Sequence, residues 1–193
     1  MSKDIRIKRG LSLQLKGEAE KQLVEAKRSK TYAIKPPDFH SVVPKMVVKE
    51  GNRVLAGDVI FFSKYSEEVQ FTSPVSGTVQ EIKRGAKRRI LEVIIEADFT
   101  DSFKDFGKLN AASANVDAVR NMIYSSGCGA FINQRPYDIV ADPKDEPKAI
   151  FISAVSSAPL AADLGFVLKD KVAAFQEGIY ALQKLTKGKV HLS

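Results

Sequence analysis

The amino-acid sequence predicts an α+β chain in two parts: a β module over residues 1–105, then an incomplete α/β domain over residues 106–193. Three observations lead there. Val, Ile and Phe crowd residues 35–85 and are broken at Gly51-Asn52, Gly57-Asp58, Pro74 and Gly77, the mark of short strands joined by tight turns. From residue 115 the apolar spacing becomes helical. The closing stretch then reads strand, helix, strand with continuous apolar strands, as in a parallel βαβ unit.

Taken in order, Ile5, Ile7, Leu11, Leu13 and Leu15 alternate as a half-buried edge strand does, with Gly10 and Gly17 as punctuation. Residues 18–31 carry few apolar anchors and fit a loop or a frayed helix equally. The stretch from Phe71 to Glu96 reads as a turn at Ser73-Pro74, a strand, a basic hairpin tip at "KRGAKRR" and a second strand. The boundary between the two parts falls within Ala97 to Ala111. Val116, Val119, Met122 and Ile123 then share one helical face, with Asn115 as N-cap and Gly127 as stop. Ala149 to Val155 is a continuous apolar strand. Val172, Phe175, Ile179 and Leu182 share the face of a second helix that Gly188 ends, and "KVHLS" resumes as a strand. Because the chain ends on that strand, the α/β domain is expected to be incomplete.

With 44% hydrophobic and 27% charged residues among 193, the composition is that of a folded globular chain. No apolar run approaches the roughly 20 residues of a spanning helix, and the N-terminus lacks a secretory signal, so a cytoplasmic location is expected. One cysteine, Cys128, excludes an internal disulfide, and two histidines, His40 and His191, argue against a histidine-rich metal site; no metal ligands are assigned. The net charge of +7 suits an anionic partner. Nucleic acid is set aside, since no helix-turn-helix, zinc finger or aromatic-interleaved motif accompanies the charge. No nucleophile with a paired histidine and no carboxylate pair is evident, so no catalytic residue is assigned.

Two motifs carry the functional reading. Lys83, Arg84, Lys87, Arg88 and Arg89 surround Gly85, either as a solvated tip or as a docking surface for anionic lipid or an acidic protein face. "SSGCGAFINQRPYDIV", residues 125–140, is either a structural connection with Cys128 as a small buried side chain, or a cleft edge. As a cleft edge, Phe131, Arg135 and Tyr137 offer aromatic faces and a guanidinium donor to an apolar ring bearing carbonyl oxygens, as a quinone does. The turn after Ala149–Val155, "SSAPLAADLG", holds no dinucleotide fingerprint.

Two resemblances follow. "KMVVKEGNRVLAGDVIFF" with "FTSPVSGTVQEI" resembles the barrel-sandwich hybrid of lipoyl and biotinyl domains. In that register, counted back from Pro74, the modified lysine's place falls on Ser66 and Lys64 is offset, so a carrier fold without its passenger is expected. More of the chain, through "IRIKRGLSLQLKG", "RGAKRRILEVIIE", "QRPYDIVADP", "KAIFISAVSSAPLAAD" and "ALQKLTKGKV", resembles the N-terminal portion of the A-subunit family of bacterial Na+-translocating NADH:quinone oxidoreductases. That family is related to the flavin-binding component of complex I and to the C component of Rnf electron-transport complexes, and the α/β part is therefore expected to be Rossmann-like. "SGCGAF" departs from the relatives' glycine run, which argues against flavin or nicotinamide here. The resemblance implies a peripheral subunit on the cytoplasmic side of the bacterial inner membrane. Its partners would be the other subunits and quinone, with an anionic membrane surface as a further one, and it would carry no covalent cofactor.

Overall fold

The computed structural model describes residues 9–10, 14–17, 20–156, 158 and 160–193. The expected edge strand from Ile5 to Leu15 lies largely outside the described residues. Residues 20–30 hold no regular element, and the first strand, β1 (Thr31–Ile34), begins where the sequence pattern pointed to a loop or a frayed helix. Its alternation, with Tyr32 and Ile34 half-buried, is too short to stand out from the polar residues before it.

Among the described residues, seven strands make the β module. After β1 come β2 (Pro44–Met46), β3 (Arg53–Val54), β4 (Val59–Ser63), β5 (Ser66–Thr72), β6 (Gly77–Arg84) and β7 (Ile90–Ala97). They form two antiparallel sheets, β1-β7-β6-β3 and β2-β4-β5. Ile60, Phe61, Val69 and Phe71 from one sheet and Val54, Val79, Val93 and Ile95 from the other join one buried cluster, so the sheets pack as a sandwich. At full burial each such side chain contributes about 1.5–3 kcal/mol. The Phe61 and Phe71 rings stack at 4.5 Å.

The β4–β5 turn corrects the register counted from Pro74. Val59 faces Thr72 and Phe61 faces Phe71, but Ser63 faces Ser66, with register shifts on the way. Those irregularities absorb residues that straight counting assigns to the hairpin. The two-residue tip is therefore Lys64-Tyr65, while Ser66 opens β5 half-buried, its Oγ enclosed without a hydrogen-bond partner among the described residues.

Residues 98–104 stay on the β module. Ala56 bridges Phe103, and Ala56 N–H donates to the Ser102 carbonyl at 3.0 Å. Asp98 anchors the exit from β7: its Oδ1 accepts from Ser76 Oγ at 2.6 Å, Thr100 Oγ1 at 2.8 Å and Thr100 N at 3.0 Å. Arg53 adds a bond to Oδ2 at 3.3 Å, and together these hold the carboxyl well below the usual carboxylate range, with the Ser76 hydroxyl the largest cause.

The second part begins with α1, Val116–Ser125, where Asn115 accepts from Ala118 N–H at 2.7 Å as the expected N-cap. Gly127 ends it at φ +83°, a left-handed stop. Short strands β8 (Asn133–Gln134) and β9 (Ile139–Val140) form a hairpin. Next come β10 (Ile150–Ile152), α2 (Leu164–Leu168), α3 (Val172–Gln183) and β11 (Val190–Leu192). β10 and β11 pair in parallel, Ile150 opposite Val190, as the βαβ reading requires.

Three expectations are corrected here. The apolar run Ala149 to Val155 yields only a three-residue strand, and Phe151 is 77% exposed, because β10 pairs with β11 alone and no layer covers that face among the described residues. α2 opens in the last two residues of the stretch read as a turn, Leu164 and Gly165, where Asp163 caps it by accepting from Phe166 N–H at 3.0 Å. Gly188 does not end α3, which stops at Gln183; a Cβ at Gly188 would strike the Lys148 carbonyl, so glycine there permits close approach of β11's lead-in to β10's.

Candidate functional site

The loop after α1 is built against the β module. A Cβ on Gly127 would stand 2.5 Å from Thr72 Oγ1, and Gly129 lies against the Tyr124 ring. The open sides of both glycines are thus filled by the chain's own Thr72 and Tyr124. Tyr124 and Ala130 belong to the β module's buried cluster, so α1 and the loop complete that core. Burial, with the Asp142 charge second, pushes the Tyr124 hydroxyl up to about 12, and it donates weakly to the Ala141 carbonyl at 3.5 Å. Cys128, read as a small buried side chain, is exposed, because its glycine neighbours take the inward positions.

Beyond this anchor the chain turns through Cys128–Phe131 into β8, and the hairpin tip Arg135-Pro136-Tyr137-Asp138 projects. Two residues of the β module hold the loop from outside. The Phe39 ring meets Phe131 at 6.0 Å with planes 66° apart, and also meets Phe71 at 4.6 Å. The His40 ring contacts the Asp138 carbonyl at 3.2 Å. Asp138 takes φ +55°, a conformation aspartate tolerates, and its Oδ1 faces Arg135 Nη1 at 3.8 Å and Asn133 Nδ2 at 3.4 Å.

Between this loop and the β10–β11 strands lies an open cleft of about 1310 Å³, its walls including Arg120, Tyr124, Phe131, Arg135, Phe151 and His191. Two of the three sequence candidates meet there. Phe131 is 78% exposed and the Arg135 side chain 81% exposed, so both are accessible from solvent. Tyr137 is exposed but is not a wall residue. Arg135 also contacts Asp138, though at 3.8 Å and open to water this pair is worth little. Opposite, Phe151 and His191 stack at 4.8 Å. Phe39, His40, Phe151 and His191 carry no signal in the sequence, since their neighbours come from distant segments and no local pattern marks them.

The basic cluster lies elsewhere, at the β6–β7 tip, where Lys83, Arg84, Lys87, Arg88 and Arg89 are all exposed. Lys83 reaches Glu92 at 3.1 Å, which raises the Lys83 ammonium and lowers the Glu92 carboxyl from their ordinary values.

A two-sheet β sandwich whose core is completed by the first helix of an α/β unit defines the class: a barrel-sandwich hybrid joined to an α/β domain. The chain belongs to the NqrA family. Residues 5–98 match the NqrA N-terminal barrel-sandwich hybrid domain and residues 114–193 the NqrA second alpha/beta domain. Over 189 residues it is 36% identical to the A-subunit of the Na(+)-translocating NADH-quinone reductase of Marinomonas sp., covering 97% of this chain and 42% of that relative. The corresponding A-subunits of Saccharophagus degradans and Pseudomonas aeruginosa are 37% and 35% identical over 96% and 95% of the chain. The chain spans about 42% of the length of the curated relatives it matches.

Proposed function

We propose that this chain serves as a peripheral subunit of a sodium-translocating NADH:quinone reductase, on the cytoplasmic face of the membrane, and that its Phe131–Arg135 segment contacts the quinone. The relatives' names support membership of such a complex, and no helix among the described residues is long and apolar enough to cross a membrane. One observation carries the quinone reading: an aromatic ring braced by Phe39 and a solvent-accessible guanidinium occur in one cleft wall. A quinone head group asks for an apolar face for its ring and a donor to its carbonyl oxygen, and the donor gains strength as that oxygen acquires charge. Arg135 would fill the donor role and Phe131 the ring contact; Tyr137, outside the cleft wall, is the weaker of the three candidates. In the assembled complex, Phe131→Ala and Arg135→Ala should each raise the KM for quinone about tenfold, the cost of about 1.4 kcal/mol, with NADH oxidation to an artificial acceptor unchanged. Unaltered quinone kinetics in both variants would make the loop purely structural.

A second reading has one observation in its favour. Lys64 stands in the two-residue β4–β5 turn, where a carrier domain presents its lysine, rather than offset from it. The sequence around it, "SKYS", still lacks the carrier context, and Lys64 is expected unmodified. Intact mass after expression with lipoyl and biotinyl ligases decides between them: an added lipoyl or biotinyl mass on Lys64 establishes the carrier.

A further inference from the structure

The β6–β7 tip is the strongest charged feature that the quinone reading leaves unused. Among the described residues Lys83 has Glu92 within ion-pair distance, but no carboxylate lies that close to Arg84, Lys87, Arg88 or Arg89. Arg84 instead donates from Nη1 to the Arg88 carbonyl at 3.4 Å. Four exposed cations thus share one tip with no carboxylate within ion-pair distance.

The backbone that holds them is unusual. Lys87 and Arg88 adopt φ +53° and +59°, two successive left-handed residues with side chains, a conformation L-residues avoid. Gly85 N–H donates to the Arg89 carbonyl at 2.7 Å and Arg89 N–H to the Ala86 carbonyl at 3.2 Å, closing the turn. The Leu91 side chain fills the space beside Gly85. Two left-handed central residues are what a tight hairpin turn requires, and asparagine or glycine would fill them with less strain; here lysine and arginine hold them, which keeps two cations at the apex.

We propose that this tip is a docking surface for the anionic phospholipid headgroups of a bilayer. A shaped protein interface centres on aromatic or large apolar anchors, and here only Ala86 and a partly exposed Leu91 accompany the charge. A headgroup surface requires only clustered cations within a Debye length.

The test is co-sedimentation of the 193-residue chain with vesicles of phosphatidylethanolamine, with and without phosphatidylglycerol. Binding is expected only where phosphatidylglycerol is present, and should fade as salt rises. The triple variant Lys87→Gln, Arg88→Gln, Arg89→Gln should bind roughly a hundredfold more weakly, about fivefold per cation removed. A control that removes three scattered exposed cations, Lys27→Gln, Lys49→Gln and Lys144→Gln, has the same net charge and should lose far less. Both variants should keep the wild-type circular dichroism and unfolding midpoint, since every altered residue is exposed. Equal loss in the control would reduce the effect to net charge and overturn the proposal. Failure of the wild type to bind phosphatidylglycerol vesicles at low salt would also overturn it; if the triple variant then also failed to join its complex, the tip's partner would be an acidic protein face.

Discussion

The His40 ring meets the Asp138 carbonyl at 3.2 Å, joining residues 98 apart in sequence and pinning the tip of the β8–β9 hairpin to the β module. A carbonyl only accepts, so Nδ1 carries the proton in this contact. His40→Ala should leave global stability within about 1 kcal/mol, because the bond is exposed. Amide exchange in Asn133–Val140 should nevertheless quicken about fivefold while β6 and β7 are unaffected. Unchanged exchange in the hairpin would show that Phe39 alone holds the loop.

Asp98 should govern acid stability. Its carboxyl is depressed by the Ser76 hydroxyl, the Thr100 amide and hydroxyl, and Arg53. A depressed folded-state value contributes stability above the unfolded value of about 3.9, which is lost as pH falls through the folded one, below the usual carboxylate range. Asp98→Asn should therefore lower Tm by a few degrees at neutral pH and flatten the dependence of Tm on pH below about 4. Parallel Tm curves for the two proteins across that range would contradict the linkage.

Gly127 should be coupled to Thr72. Gly127→Ala places a Cβ at φ +83° and 2.5 Å from Thr72 Oγ1, so both strain and overlap oppose it. The expected loss is about 2–4 kcal/mol in urea unfolding, of which Thr72→Ala in the same chain should return roughly half by removing the overlap. Strict additivity of the two substitutions would mean that backbone strain alone sets the cost.

Tyr124 should matter for its ring rather than its hydroxyl. Tyr124→Phe loses a 3.5 Å hydrogen bond and should cost under about 1 kcal/mol, whereas Tyr124→Ala empties a core position and should cost about 3–5 kcal/mol. Because burial raises the phenol to about 12, its neutral form stabilises the fold below the unfolded value of about 10, and that contribution is lost as pH rises towards 12. A phenolate absorbance titration of the wild type minus that of Tyr124→Phe should show a single group ionising near the upper end. A difference centred near 10 would place the ring in water.

Much of this protein was legible in one dimension because the physics involved is local. The Asn115 cap, the Gly127 stop and the β6–β7 hairpin around Gly85 rest on residue types at fixed short spacings, and the structure has each of them; the parallel pairing of β10 with β11 followed instead from the order strand, helix, strand. What needed three dimensions depends on contacts between distant segments. The bulges of β4–β5 moved the turn from Ser66 to Lys64-Tyr65, since register answers to the packing of both sheet faces rather than to counting. Phe151 reads as core in an apolar run but is exposed, because burial belongs to the layers around a strand and not to the strand. Phe131 and Arg135 could be named from their chemistry. That they share a wall, and that Phe39 and His40 hold the loop bearing them, was decided only when the β module and the α1 loop closed one core around Tyr124.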